Sequence, residues 1–416
     1  MKYGLIGEKL IHSFSKELHS YFGDYEYELE EIAPDDIKEF FTSKDFCGIN
    51  VTIPYKSEVI KYLDFIDDVA MAIGAVNTVV NRGGKLYGYN TDAYGLTALI
   101  NSGGISLKDK KVLILGSGGT SKTALFVAKS LGAKSVFRVS RTEKCGVITY
   151  DEAVKTQGDA DIIINTTPCG MFPNIQNTPI DINGFSKLSA VVDVIYNPLK
   201  SRLCLKAIRK GIKAVGGLYM LVAQGYKSAE LFFDTEPKNS ISAVYEKILS
   251  AKRNIVLIGM PSSGKTTIGK MLSEELGMPF FDSDEQITLN TGRTPADIIK
   301  NDGEPEFRRI ESEVLAELSA KNHCVIATGG GAVTVEDNIF SLQSNGKIYF
   351  IDRPCELLIS TPDRPLSSSK EAICELYSRR KNLYENAADV IIKNDCDIQS
   401  AVQRTEKDFY NENFSY

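Results

Sequence analysis

Histidine is scarce: the 416 residues contain three, at positions 12, 19 and 323, which offer no metal cluster. The eight cysteines are scattered without any C-x-x-C pair, so neither a zinc module nor a disulfide framework is expected. Free thiols and a reducing cytoplasm are the expectation instead. No apolar run approaches the length of a membrane span. The opening MKYGLIGEKL leads straight into a strand and lacks a secretory apolar region. Excess positive charge is also missing. The formal net charge of −6 gives no general attraction to nucleic acid or to an anionic membrane. What is present is ordinary for globular protein, with 43% apolar and 25% charged residues. The length suggests roughly two to three domains.

The chain is organised around NIVLIGMPSSGKTT, residues 254–267. Ile255 to Ile258 reads as a buried parallel strand. Gly259, Gly264, Lys265 and Thr266 match G-x-x-x-x-G-K-[ST]. Such glycines let backbone N–H groups turn toward a phosphate. Lys265 can reach the outer phosphates, and Thr266 can hold Mg²⁺. Ser262, Ser263 and Thr267 complete the nucleotide loop, and GKMLSEEL supplies a helix whose N-terminus favours anions. Residues 1–253 precede this motif, far too many for an adjunct to a small kinase.

The first hundred residues carry a second set of polar residues. Ser13 and Ser15 stand just before a helical pattern. An apolar strand stops at Pro54, and Lys56 follows at an expected helix start. GAVNTVVNRGGKLYGYNTDAYGLTALI reads as a hairpin running into a helix that Asn90, Thr91 or Asp92 could cap. Together these residues resemble the substrate domain of shikimate dehydrogenases. The matching motifs are Ser13-Phe14-Ser15 with His19, N-V-T-x-P-x-K at Asn50 to Lys56, G-A-V-N-T at Gly74 to Thr78, and G-x-N-T-D-x-x-G at Gly88 to Gly95. The resemblance implies that Ser13 and Ser15 take the shikimate carboxylate. It implies that Thr52, Asn77 and Asn90 hold ring hydroxyls, while Lys56 and Asp92 flank the hydroxyl that is oxidised. The chemistry agrees: hydride delivery to a ketone leaves negative charge on oxygen, and an ammonium fixed by a carboxylate can either donate a proton to that oxygen or stabilise it.

Lys111 to Leu115 reads as a strand before GSGGTSKTALFVAKSLG, where Gly116, Gly118 and Gly119 open a helix. Strand, glycine turn and helix in that order suit a dinucleotide. The next strand ends in Ser140-Arg141-Thr142, with no carboxylate for a ribose hydroxyl. Arg141 would pair with a 2′-phosphate, so NADP is the expected cofactor. The family's usual triplet is Asn-Arg-Thr, and a second basic residue is common where Cys145 stands; either Lys144 substitutes for it or selectivity for NADP is looser. The helix after this strand is expected to be nearly missing. The resemblance also puts Gly217 and Met220 near the nicotinamide and Gln224 on shikimate.

In the last third, Asp282 and Asp284 stand two apart and share a face if extended, suited to Mg²⁺ and an acceptor hydroxyl. Arg308, the glycines 329–331, Arg364 and Arg380 are candidates for binding phosphate and carboxylate. This part, from Asn254 to about Val402, resembles shikimate kinases through D-x-D, G-E-x-x-F-R, G-G-G and R-P-L features. That resemblance implies that Arg308, Gly330 and Arg380 grip shikimate and that Asp284 orients or deprotonates its 3-hydroxyl. It further implies that Asp282 helps hold Mg²⁺ and that Lys265 and Arg364 neutralise the transferring phosphoryl group of ATP. The stretch ELLISTPDRPLSSS is short for the family's lid and lacks its additional arginine.

The expected architecture is α/β throughout. Residues 1–96 and 225–249 form a substrate domain, 97–224 an NADP-binding Rossmann domain, 250–253 a linker, and 254–416 a P-loop kinase domain. The implied enzyme reduces 3-dehydroshikimate with NADPH and phosphorylates the shikimate formed, with ATP and Mg²⁺. Two alternatives are a quinate/shikimate dehydrogenase fused to a kinase, and a nucleotide-gated scaffold with one inactive site. No nucleic-acid or membrane partner is expected.

Overall fold

The computed structural model describes residues 2–10, 14–142, 146–359 and 369–410. Its three sheets follow from where the apolar runs fall. YGLIG and GINV become neighbouring parallel strands, Tyr3–Gly7 and Gly48–Val51, while the polar ELEE, Glu28–Glu31, takes the edge. The antiparallel hairpin Thr78–Arg82 and Lys85–Tyr89 extends the sheet, and Phe65–Ile66 closes the far edge. The expected strand before Pro54 is therefore present. Lys56, however, lies in a turn, and the next helical element is a 3₁₀ turn at Val59–Tyr62 rather than a helix starting at the lysine.

The second sheet is wholly parallel. From one edge it runs Lys213–Val215, Ala190–Asp193, Ile162–Asn165, Lys111–Leu115, Ser135–Ser140, Val147–Thr149. Its central strands, IIIN and AVVD, are buried at every position because helices cover both faces. The edge expected to be trimmed carries the short strand Val147–Thr149 and a helix, Tyr150–Thr156, capped by Thr149. The third sheet is also parallel, in the order Phe280–Asp282, Val325–Ala327, Asn254–Ile258, Gly346–Asp352, Val390–Lys393. The fully buried strand Asn254–Ile258 sits at its centre and delivers the nucleotide loop at its C-terminal end.

Two helices join the first two sheets, Thr91–Ser102 and Leu218–Phe233. They can approach closely because Gly95 has no side chain: a Cβ there would lie 2.6 Å from the Met220 carbonyl oxygen. Gly225 does the same for Ser15–Phe22, where a Cβ would meet Leu18 at 2.5 Å. The helix Ile241–Lys252 packs Val244 and Ile248 against that bundle.

The residues read as a linker form the last turn of this helix. Arg253 N–H donates to the Leu249 carbonyl, and the strand begins at Asn254. Arg253 also donates to the Phe409 carbonyl at 2.9 Å, while Lys252 pairs with Glu17 at 2.8 Å. The junction is therefore tied to both halves. No described helix is long and apolar enough to cross a membrane.

Candidate active sites

The first site is built on a polar cluster beneath the hairpin. Lys56 Nζ donates to Asp92 Oδ2 at 2.6 Å, with both side chains mostly shielded from solvent. Asp92 stands in the first turn of Thr91–Ser102, a helix capped by Asn90 through a bond from Ala93 N–H. The other oxygen of Asp92 accepts from Asn77 Nδ2 at 2.9 Å. Asn77 also donates to Thr91 Oγ1 at 3.0 Å, and its Oδ1 accepts Thr91 N–H at 2.7 Å. Both ends of the Asn77 amide thus hold the helix start and the carboxylate. Asn90 Nδ2 donates to the Ala75 carbonyl at 2.8 Å. Behind them, the hydroxyls of Thr78, Thr91 and Ser228 and the amide of Asn50 form one buried network. Sequence reasoning missed Ser228, which reaches this network from a helix 137 residues beyond Thr91.

His19 is buried and stacked on Tyr27 at 3.9 Å, with Nδ1 at 2.5 Å from Tyr25 Oη. Burial pushes its pKa down to about 3. It packs the wall behind Asn50, to which Tyr27 donates at 2.7 Å. Thr52 follows the strand Gly48–Val51, its N–H bonded to the Ile6 carbonyl. Ser15 begins the first helix, and Ser13 lies outside the described residues. Gln224 donates to the Leu221 carbonyl on the helix that packs across Gly95.

The dinucleotide turn lies at the C-terminal end of Lys111–Leu115. Gly116 has φ +118°, and a Cβ there would meet Thr166 Oγ1 at 2.6 Å. Cβ atoms on Gly118 or Gly119 would meet nothing within 4 Å, so the approach to this backbone and to the helix Gly119–Ser130 is open. Ser140 ends the neighbouring strand near Ser117, and Arg141 and Thr142 are exposed beside it. Gly217 fits against the Val194 carbonyl, where a Cβ would come within 2.1 Å, and the buried Met220 follows. A residue not singled out from the sequence, Asp193, is fully buried at the end of its strand. It accepts from Ser201 at 2.5 Å, Asn165 at 3.0 Å and Ile195 N–H at 3.1 Å. Burial pushes its pKa up to about 6 against those bonds.

The second site surrounds the loop 259–267. Gly259 (φ +149°) and Gly264 (φ +96°) take backbone conformations that suit glycine. Lys265 Nζ lies 3.0 and 2.8 Å from the carbonyls of Gly259 and Met260. Ser263 Oγ is buried with no hydrogen-bond partner among the described residues, while Asn394 clamps the Ser263 carbonyl at 2.8 Å. Ser262 donates to the Ile359 carbonyl at 3.0 Å, and Thr267 is exposed on the helix that follows. Thr266 donates to Asp282 Oδ2 at 2.8 Å. The segment carrying Asp282 and Asp284 is not extended. Asp282 ends the strand and caps Ser283–Thr291 by accepting Asp284 N–H at 3.0 Å, so Asp284 stands in the first helical turn. The helix start overrides alternation because Asp is a favoured N-cap.

Asp284 faces the glycine turn. A Cβ on Gly329 would lie 2.8 Å from Asp284 Oδ1 and 2.7 Å from Glu311 Oε1. A Cβ on Gly331 would overlap the Arg308 guanidinium at 2.2 Å. Arg308 lies one turn into Glu304–Ser319 and pairs with Glu311 at 2.6 Å and Glu304 at 3.0 Å. Arg380 donates to the Gly330 carbonyl at 3.0 Å, and Tyr384 donates to the same oxygen. Glu311 was not read from the sequence; its spacing of three from Arg308 was the available signal. Burial raises its pKa against the pull of Arg308. Asp284, Arg308, Gly330 and Arg380 therefore converge, whereas Arg364 lies outside the described residues. Among the described residues no group of three or more His, Cys, Asp or Glu is placed to hold a metal. The Thr266 hydroxyl and Asp282 carboxylate still offer the few hard oxygen donors that a phosphate-bound Mg²⁺ uses.

An open glycine turn on one parallel sheet, with a lysine–carboxylate pair on the domain before it, defines a two-domain dinucleotide-type oxidoreductase fold. The third sheet adds a P-loop-kinase fold. The chain belongs to the shikimate dehydrogenase family, with a shikimate-kinase-like domain fused after it. Residues 5–79 match the shikimate dehydrogenase substrate binding domain family, and residues 261–409 match the shikimate kinase family. The chain is 37% identical over 257 residues to a shikimate dehydrogenase (NADP(+)) of Clostridium beijerinckii, covering 58% of this chain and 94% of that protein. It resembles the crystal structure of a chorismate mutase/shikimate 5-dehydrogenase fusion protein from Clostridium acetobutylicum, with 36% identity and a TM-score of 0.56 over 59% of this chain and 96% of that one. It is also similar to a Thermus thermophilus shikimate 5-dehydrogenase solved with NADP(H) and shikimate, with 28% identity and a TM-score of 0.54 over 59% and 97% of the two chains.

Proposed function

We propose that this chain catalyses two consecutive reactions: NADPH-dependent reduction of 3-dehydroshikimate to shikimate, then ATP-dependent phosphorylation to shikimate 3-phosphate. The reading rests on Lys56 fixed at 2.6 Å from Asp92 in one half, with Asp284, Arg308 and Arg380 gathered at one glycine turn in the other. NADPH supplies the hydride, ATP the phosphoryl group, and Mg²⁺ charge neutralisation.

In the first half, Lys56 stabilises negative charge growing on the substrate oxygen as the hydride arrives, and that oxygen becomes the hydroxyl by taking a proton from the Lys56 ammonium or from solvent. Asp92 holds the ammonium in place, and Asn77 holds Asp92. Because these groups are aligned beforehand, little reorganisation is needed as charge develops. Ser13, Ser15, Thr52, Asn90 and Gln224 orient the substrate, and Arg141 selects the 2′-phosphate. In the second half, Arg308 and Arg380 bind the substrate carboxylate, and Asp284 takes the proton of the attacking hydroxyl. Lys265 and Arg364 neutralise phosphate charge, while Thr266 and Asp282 would hold Mg²⁺. Catalysis there is chiefly positioning and electrostatics. The described cysteines are free, which suits a cytoplasmic protein.

The test uses the full chain with 3-dehydroshikimate, shikimate and quinate, and reads NADPH turnover and ADP formation separately. We expect NADPH consumption with 3-dehydroshikimate and ADP formation with shikimate. A properly folded protein lacking shikimate-dependent ADP formation would sink the kinase reading. Faster turnover of quinate than of shikimate in the oxidative direction would replace the first substrate.

A further inference from the structure

We infer that Arg202 and Arg209, in the dehydrogenase half, are positioning residues for substrate binding in the kinase half; this deepens the proposed kinase reading and rests on it. Both arginines lie on Arg202–Arg209, separated by two helical turns and so on one face. That face meets Glu336–Asn345 of the kinase domain. Their guanidinium groups bracket the Phe340 ring, at 4.5 and 3.6 Å from its centroid. Arg202 pairs with Asp337 at 2.6 Å, and Arg209 pairs with Glu336 at 3.0 Å and donates to Gln343 at 2.9 Å. Phe340 is buried in this bracket.

The contact extends to both ends of the kinase helix. Arg202 donates to Gln176, whose amide donates to Ser341 at 2.7 Å. The backbone just before the dehydrogenase helix adds two bonds: Leu199 N–H to Asn345 Oδ1, and Lys200 N–H to the Ser344 carbonyl, each at 2.9 Å. Flat guanidinium groups stacked on an aromatic ring and paired with carboxylates fix orientation better than a lysine would.

What this clamp holds is the support of the glycine turn. The helix Glu336–Asn345 follows Gly329–Gly331 after only the 3₁₀ turn Ala332–Thr334. Buried Asn338, in the first turn of that helix, donates to the Ala332 carbonyl at 3.2 Å. The Gly330 carbonyl receives Arg380, and Gly331 leaves room for Arg308. A shift of the helix therefore moves the turn that seats both arginines of the substrate site. The nucleotide loop hangs from a different strand, Asn254–Ile258, and is held by Asn394. The Gly330 backbone also lies against Pro261 of that loop, where a Cβ would meet the proline ring at 2.6 Å, so loosening the clamp is felt first by shikimate and more weakly by ATP.

The test is the double variant Arg202→Ala/Arg209→Ala in the full chain. We expect the shikimate KM of phosphorylation to rise about fivefold, the lower end of ordinary coupling between sites. The ATP KM should rise less than the shikimate KM, and the rate of 3-dehydroshikimate reduction should stay unchanged. Amide hydrogen exchange should quicken over residues 329–345 and not over Lys265–Leu276. Arg209→Glu should reproduce part of the KM rise, and adding Glu336→Arg should reverse it, which general loss of stability would not do. Unchanged shikimate KM and unchanged exchange in the folded double variant would overturn the inference. So would an equal rise in both KM values. If wild type forms no ADP with shikimate, the kinase reading fails. Exchange then decides separately: unaltered protection over 329–345 overturns the clamp, and selective loss supports it.

Discussion

Replacing Lys56 by Met removes the ammonium but keeps length and apolar bulk, which isolates the charge that the proposed reduction needs. Losing one preorganised donor to a developing oxyanion costs about 10²–10³ in kcat. The lysine and Asp92 side chains retain 19% and 12% of their exposure, so solvent replaces little of the lost stabilisation. A fall of about 10²-fold is expected, or about 2.7 kcal/mol at about 1.36 kcal/mol per decade. The fold should survive. Breaking a fully buried pair costs about 3–5 kcal/mol, but this pair is partly exposed and Asp92 keeps its bond from Asn77, so roughly 1–2 kcal/mol is expected. The assay is NADPH consumption at saturating 3-dehydroshikimate, with a melting curve as control. The KM for 3-dehydroshikimate should change less than kcat, because the lost contact matters most in the transition state. A folded Lys56→Met protein with kcat within about threefold of wild type would refute the charge-stabilising role.

Arg141→Ala should raise the NADPH KM about tenfold and leave the NADH KM nearly unchanged, since only NADPH carries the phosphate that a guanidinium pairs with; equal effects in initial-rate assays would remove the 2′-phosphate argument. Asp284→Asn should cut shikimate-dependent ADP formation by about 10²-fold or more while sparing reduction, and Asp92→Asn should do the reverse. Mixing those two variants should restore conversion of 3-dehydroshikimate to shikimate 3-phosphate, read by mass; a mixture that makes none while each keeps its spared activity would mean that transfer within one chain is obligatory. Asp193 has a folded pKa raised to about 6, so the native state holds its proton more tightly and wild type loses stability as pH rises from the ordinary carboxylate range through about 6. Asp193→Asn should therefore gain relative to wild type over that window, by on the order of 2–3 kcal/mol, and melting temperatures that run parallel across it would show that Asp193 does not titrate there.

The residues legible in the sequence were those whose chemistry is local. A glycine loop between a strand and a helix announces itself because strand, turn and helix are contiguous, and Gly259 and Gly264 duly take conformations that suit glycine. Asn90 was recognisable as a possible cap because an N-cap bond spans three residues. Asp282 and Asp284 would share a face only if extended, and the sequence left that open because the two-residue alternation of a strand and the start of a capped helix look alike over so short a span. Ser228 and Asp193 were not legible at all. Each looks like an ordinary polar residue until the sheet closes and brings it to Thr91 or to Asn165. Glu311 lay between these cases, since its helix and spacing were visible but its convergence with Asp284 depends on the absence of a side chain at Gly329.

The same distinction explains why residues 250–253 looked like a connection. Their composition carries no information on whether the preceding helix continues, because the decisive bonds are remote: Arg253 to Phe409, and His323 Nδ1 to the Ser250 carbonyl at 3.1 Å. A helix that runs directly into the central strand of the kinase sheet leaves no flexible tether to average over orientations. With the chain fixed at that point, the two arginines on Arg202–Arg209 need not find Phe340 by diffusion, and much of the entropy cost of docking is met by the covalent junction. Exposed ion pairs that contribute little alone can then hold an orientation jointly. In this chain the junction and the clamp act as two points of attachment, and the glycine turn that seats Arg308 and Arg380 lies just upstream of the second.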